Sequence, residues 1–174
     1  NEIILIEDNC ESLGAKYHDK YTGTCGLMGS FSFFFSHHMQ TMEGGMILTN
    51  DKNLYELCLS LRAHGWIRDL PKNNTIVNKT GNPFYDSFNF VVPGYNIRPL
   101  EMSGAIGSIQ LRKLSSFVDR RRKNAQIFKA LFESEANIRI QRETQVSSWF
   151  GFSLVLTNAL SGQRDNLVDI LIKN

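Results

Sequence analysis

An α/β fold, with a mixed and mostly parallel sheet flanked by helices and followed by the start of a small α+β unit, is predicted by three features of this chain. Short apolar runs of strand length alternate with segments whose apolar residues recur every three or four positions. The first run, Ile3-Ile4-Leu5-Ile6, is apolar at consecutive positions, as in a parallel strand covered on both faces. Near the end the alternation gives way to two strand-like segments and a last helix.

The first strand is expected over residues 2–7, leading through Asp8-Asn9 into a short helix near 10–13, with turns at Gly23 and Gly26. A second buried strand is expected over 29–35, then a polar loop over 37–45 and a third strand over 46–49. Asp51 is placed to cap a helix reaching about Leu61, because Leu54, Leu57, Cys58 and Leu61 fall on one helical face. Residues 64–92, rich in Asn, Pro and Gly, are too long for an ordinary connection and read as a functional or partner-facing loop. Pro99 opens a helix to about Leu114. Ser116 with Asp119 then predicts a capping box and a second helix to Glu133, whose apolar side is Phe117, Val118, Ala125, Phe128, Leu131 and Phe132. Strands over 137–140 and 148–156 and a helix over 161–172 complete the chain. A buried strand among the first residues implies further βα units beside it, and the last helix has no stop signal, so the chain is expected to be a fragment.

Composition narrows the function classes. With 42% hydrophobic and 21% charged residues among 174, disordered, collagenous and coiled-coil chains are excluded. A formal charge of +2 is too small a field to make nucleic acid or an anionic membrane the main partner. Three cysteines, Cys10, Cys25 and Cys58, without CxxC spacing point to a reduced, cytoplasmic protein, and no apolar run approaches the roughly 20 residues of a membrane span.

The chemistry-bearing residues lie in two segments. Asp8 follows the first strand, where open α/β sheets place their ligands. Ser32 lies in the second strand, Ser36 and His37 lie at its end, and Gly44-Gly45 lets backbone approach a bound group. The spacing Ser32-Phe33-x-x-x-His37-x5-Glu43-Gly44-Gly45, after Glu7-Asp8-x-Cys10-x-Ser12-x-Gly14, resembles the DegT/StrS family of pyridoxal-phosphate enzymes acting on nucleotide sugars. The likeness extends through Arg62-Ala63-His64-Gly65-Trp66, residues 93–105 and residues 147–152.

That resemblance implies the type I, aspartate-aminotransferase-like fold of pyridoxal-phosphate transferases. Residues 1–115 would be the C-terminal part of its large cofactor-binding domain, 116–136 a connecting helix, and 137–174 the beginning of the small domain. It places His37 at the position of the family's cofactor-linking lysine. An imidazole cannot form that link but moves protons near neutral pH. Histidine there marks the 3-dehydratase branch, which holds pyridoxamine 5′-phosphate or pyridoxal 5′-phosphate without a covalent bond and removes the C3 hydroxyl of a 4-keto-6-deoxy nucleotide sugar. No cysteine follows Cys58, so the subtype with an iron-sulfur cluster does not fit. The expected substrate is GDP-4-keto-6-deoxy-mannose, in colitose synthesis, with glutamate as amino donor.

By the same resemblance His37 is the catalytic acid and base, and Asp8 pairs with the pyridine nitrogen. Glu11 lies beside the cofactor ring, Ser32 binds the phosphate, and Asn96 is offered to the phosphate of a neighbouring subunit, which implies a homodimer with a shared active site. Taken singly these residues have plainer readings: Asp8 as a helix cap, Glu11 as a first-turn acid, Ser32 as a core hydroxyl, Asn96 as a turn residue. His38, pointing away from its neighbour, is assigned a structural role. A zinc site on His37, His38 and Glu43 lacks a fourth ligand, so no metal is expected. Arg120-Arg121-Arg122-Lys123 reads as a solvated helix face, and Phe31, Phe33, Phe34 and Phe35 as core packing. Trp66 and Arg68 could reach a sugar or nucleotide from the long loop. Two rival readings stand beside the dehydratase: a non-catalytic truncated fragment, and a sugar aminotransferase, which would need lysine at position 37.

Overall fold

A computed structural model describes residues 3–173. Its central sheet has three strands in the order β1 (Ile6–Asp8), β4 (Met28–Ser32), β5 (Gly45–Leu48). Strand β4 runs parallel to β1, with Asp8 opposite Ser30, and antiparallel to β5, with Ser32 opposite Gly45. The sheet is therefore mixed, and the ends of β1 and β4 that carry Asp8 and Ser32 point the same way. The ladder begins at Ile6, later than expected. Ile3, Ile4 and Leu5 are exposed outside it, and the Glu2 end of the expected strand lies outside the described residues.

The expected helix at 10–13 is a pair of turns. The Cys10 amide donates to Asp8 Oδ1, the Ser12 amide to the Asn9 carbonyl, and the Ala15 amide to the Ser12 carbonyl. Short Asp, Asn and Ser side chains offer the backbone local partners that compete with a helix. Gly14, at φ 88°, then turns the chain into a small antiparallel hairpin, β2 (Lys16–Tyr17) with β3 (Lys20–Tyr21).

Glu7 locks the next loop beneath β1. Its two carboxylate oxygens accept the amides of Gly23, Cys25 and Gly26 at 2.7, 2.7 and 2.6 Å. Burial pushes this carboxyl upward, but the amides of Gly26, Gly23 and Cys25 together hold it below the ordinary value. Glu7→Gln is expected to destabilise the chain by about 2 kcal/mol at neutral pH, since hydrogen bonds to a charged acceptor are lost. A lowered folded-state value gives stability that is complete above the unfolded carboxyl range, near pH ~4.3, and is lost as pH falls through the folded value. Urea unfolding from pH 7 downward should therefore show the gap between parent and variant closing in acid. A gap that does not change with pH would contradict the assignment.

Helix α1 (Lys52–Leu61) starts where expected, with Asp51 Oδ1 accepting the Leu54 amide at 3.0 Å. Its most buried residues are Glu56 and Ser60, whereas the expected apolar stripe is half-buried. Glu56 is buried because its carboxylate accepts both the amide and the hydroxyl of Thr75, at 2.7 and 2.8 Å, and so ties the long loop down. That loop is largely irregular, as expected, but contains a short helix, α2 (Pro83–Phe88), capped by Asn82. Bridges Ala63–Asn96 and Trp66–Phe90 fold the loop back on itself. They require Gly65, at φ 86°, where an added Cβ would stand 1.7 Å from the Val92 carbonyl oxygen.

The two expected helices over 99–133 are one. Helix α3 runs unbroken for 32 residues, Glu101–Phe132, about 48 Å long. Ser116 starts no helix; its hydroxyl donates to the Lys113 carbonyl within α3 at 2.8 Å, a local bond a helix interior tolerates. Val118 and Ala125 are buried as expected, while Phe117 and Leu131 are exposed. Between α3 and the sheet lies a cavity of about 540 Å³, lined by Phe31, Met46, Leu48, Leu111, Leu114 and Val118 among others.

Strands β6 (Ile138–Ile140) and β7 (Leu154–Leu156) pair antiparallel, followed by a 3₁₀ turn at Asn158–Leu160 and helix α4 (Arg164–Lys173). Residues 148–153, expected to be strand, are irregular. Among the described residues no helix is long and apolar enough to cross a membrane.

Candidate active site at the end of the sheet

Parallel pairing of β1 with β4 sets Asp8 beside Ser30, whose hydroxyl donates to Asp8 Oδ1 at 3.3 Å. The same oxygen accepts the Cys10 amide at 3.1 Å. The Cys10 thiol, its amide and the Ser30 hydroxyl hold the Asp8 carboxyl below its usual range, and Asp8 in turn pushes the Cys10 thiol upward. The result is a solvent-facing carboxylate with a preset orientation.

Beyond β4, Ser32 Oγ accepts the Phe34 amide at 3.2 Å, leaving the hydroxyl hydrogen free to donate. The chain then turns, with the His37 amide donating to the Phe34 carbonyl and the Phe33 amide to the Gly44 carbonyl. The turn brings His37 Nδ1 to 3.4 Å from the Ser32 carbonyl oxygen, which leaves Nε2 as the nitrogen without a protein partner. The half-buried ring meets Phe34 and Phe150 edge to face, with centroids 5.7 and 5.2 Å away.

His38 turns the other way. It is buried, and Nε2 contacts the Ser148 carbonyl oxygen at 3.0 Å. Burial, more than any neighbour, pushes its value down, so the ring is neutral at physiological pH and donates from Nε2. Glu11 is exposed and close enough for its charge to act on His38. One parallel pair and one turn thus place Asp8, Ser32 and His37 at the same end of the sheet. Asn96 is outside this network; it is exposed and paired with Ala63 in the long loop.

The basic run is a solvated face only in part: Arg120 and Lys123 are exposed, whereas Arg121 and Arg122 are half-buried and bonded to backbone. Arg121 Nη1 donates to the carbonyls of Trp149 and Phe150, at 3.1 and 2.9 Å. Arg122 donates from Nε to the Ser147 carbonyl at 3.0 Å and from Nη2 to the Gly14 carbonyl at 3.2 Å. These partners lie far along the chain, so no local pattern announces them. Phe31 is buried as expected, but Phe35 is exposed at 67%. In the long loop Trp66 is stacked under the Arg68 guanidinium at 3.9 Å, with Arg98 at 5.3 Å.

Comparison with known proteins places the chain in a family. The sequence profile described as the DegT/DnrJ/EryC1/StrS aminotransferase family matches residues 1–174. GDP-4-keto-6-deoxy-D-mannose 3-dehydratase of Yersinia pseudotuberculosis is 57% identical over 173 residues, covering 99% of this chain and 44% of that protein. A crystal structure of a GDP-4-keto-6-deoxymannose-3-dehydratase variant with bound GDP-perosamine superposes with a TM-score of 0.95 at 52% identity, covering 98% of this chain and 45% of that one. Another, with a trapped PLP-glutamate geminal diamine, has a TM-score of 0.95 at 51% identity and covers 99% and 45%. The chain thus spans under half the length of these relatives.

Proposed function

Because the chain belongs to the DegT/DnrJ/EryC1/StrS aminotransferase family, with the fold of that family's pyridoxal-phosphate enzymes, we propose that it carries the cofactor site of a nucleotide-sugar 3-dehydratase. The substrate is a 4-keto-6-deoxy nucleotide sugar, GDP-4-keto-6-deoxy-mannose by analogy with the 3-dehydratases it resembles. The observation that carries this reading is His37, an imidazole whose Nδ1 faces the Ser32 carbonyl just beyond β4, at the position where the family's aminotransferases need lysine.

The donor set fits pyridoxamine or pyridoxal phosphate. Asp8, kept anionic by Cys10 and Ser30, suits a protonated ring nitrogen, and the free Ser32 hydrogen suits a phosphate oxygen. When bound, the cofactor supplies an electron sink. Asp8 holds the proton on its ring nitrogen, Ser32 donates to its phosphate, and Glu11 stands beside its ring. His37 Nε2 takes one proton from carbon and returns it to the C3 hydroxyl as that group departs as water.

Glutamate is the proposed amino donor, consistent with the glutamate adduct in the similar structure. Asn96, exposed and apart from Asp8, Ser32 and His37, is assigned to the phosphate of a second copy, which makes the enzyme a homodimer with shared sites. Residues 1–115 are assigned to the large domain, 116–136 to the connecting helix and 137–174 to the start of the small domain. Three free cysteines suit a reduced, cytoplasmic setting.

The test is a titration of the chain with pyridoxamine phosphate by equilibrium dialysis and absorbance. Saturable binding that depends on Asp8 supports the reading. Absence of binding favours a second reading, a segment that does not turn over by itself, to which the 44% span points. A sugar aminotransferase is disfavoured because the imidazole at 37 cannot make the covalent link of a lysine amine.

A further inference from the structure

Residues 147–150 form a strap across His37 and His38. Each of their successive carbonyls accepts from a side chain: Ser147 from Arg122, Ser148 from His38, and both Trp149 and Phe150 from Arg121. Trp149 is buried and sits at φ 52°, a conformation that a bulky residue keeps only when its surroundings overdetermine it. Those surroundings are present. The Trp149 amide donates to Ser147 Oγ at 3.0 Å, and its indole Nε1 donates to Glu143 Oε1 at 3.1 Å. Lys129 on α3 pairs with the same carboxylate.

This bracing has an outcome at the site. The Phe150 ring meets His37 at 5.2 Å and an interplanar angle of 80°, and it meets His38 at 5.8 Å. Arg121 holds the carbonyls on both sides of the Phe150 Cα, and its guanidinium carbon lies 5.9 Å from the ring centroid. Arg122 instead holds the carbonyls of Ser147 and Gly14.

We infer that Arg121 is a positioning residue for His37, acting through Phe150, so that helix α3 sets the orientation of the proton-transferring ring. The proton-transfer part rests on the role proposed above for His37; the mechanical coupling stands independently of it. One planar nitrogen satisfying two consecutive carbonyls fixes the backbone between them, and hence the direction of the Phe150 side chain. The edge contact then limits the orientations open to the His37 ring.

The coupling is read by nuclear magnetic resonance of the 174-residue chain, following the carbon-bound ring protons of His37, identified by their loss in His37→Asn. In Phe150→Leu these signals should move most of the way to their positions in the urea-unfolded chain. Arg121→Gln should move them in the same direction, Arg121→Lys by less, and the double variant Arg121→Gln/Phe150→Leu no further than Phe150→Leu alone. The backbone amides of the central sheet report whether each variant stays folded. Unmoved His37 signals in a folded Arg121→Gln chain, or an Arg121 effect that persists in full without Phe150, would overturn the inference. Pyridoxamine-phosphate titration of the same samples separates the two ideas. Binding that ignores Asp8 and His37 while the coupling persists removes the proposed function alone. Binding as proposed with no coupling removes the positioning role alone.

Discussion

Asp8→Ala is expected to weaken binding of pyridoxamine phosphate by this chain about 100-fold, the loss of roughly 3 kcal/mol that follows when one partner of a hydrogen-bonded charge pair is removed. The carboxylate is prepared for a cationic partner. Cys10 and Ser30 both donate to it, which keeps it anionic and aimed while leaving it open to solvent. The same two bonds complicate alanine, because deleting the carboxylate also frees the turn at 9–12. Asp8→Asn separates the effects. The amide oxygen can still accept from Cys10 and Ser30, so the turn persists, but the charge is gone. Binding should still weaken by about tenfold or more, and equilibrium dialysis of the three proteins reads the difference. An Asp8→Asn chain that binds like its parent would remove Asp8 from the cofactor site.

The second large effect is expected at His37. In His37→Lys an amine replaces the imidazole in a turn held by the Phe34 and Gly44 carbonyls. Incubation with pyridoxal phosphate should then yield a covalent adduct, amine condensing with aldehyde and releasing water. Borohydride reduction makes the adduct permanent, and a peptide map places it at residue 37; the parent should show none there. The substitution also removes the group proposed to move the proton, so dehydration should fall by about 10²- to 10⁴-fold, the usual contribution of a positioned acid or base. If pyridoxal phosphate does not label position 37 in a folded variant, the residue does not face the cofactor. If labelling occurs but dehydration is undiminished, His37 is in the site without being its base. These outcomes are read by covalent labelling and by turnover, and so do not depend on the result at Asp8.

The two residues differ in how they were found. Asp8 and Ser32 owe their proximity to β1–β4 pairing, and that pairing follows from two strand-like segments separated by glycine turns, all visible as pattern. His37 follows Ser32 closely enough that a single turn determines where it goes. Asp51 was equally legible, since a cap and its helix are neighbours in sequence. In each case the interacting groups are close along the chain, or the strand period dictates their face.

Other elements differ from expectation because of bonds and contacts that their local pattern does not announce. Ser116 has the signature of a helix start, yet α3 continues through it, because its hydroxyl finds a carbonyl inside the helix and tertiary contacts at Val118 and Ala125 keep the segment straight. Residues 10–13 turn because Asp8, Asn9 and Ser12 bond locally and Gly14 must adopt positive φ to enter the hairpin. Glu56 would be a surface residue by type; it is buried because Thr75 meets it. Arg121 and Arg122 look like solvated charge, and only the folded chain brings four carbonyl groups to their guanidinium groups. The sequence by itself determined the strands of the central sheet and helix α1, because those rest on short-range periodicity and capping, and its motifs at 7–14 and 32–45 carried the resemblance that pointed to the family. The tertiary structure alone decided the burial of Glu56 and the strap over His37, because their donors and acceptors are joined only after the chain has folded, and the continuity of α3, in which Val118 and Ala125 are buried against the rest of the chain.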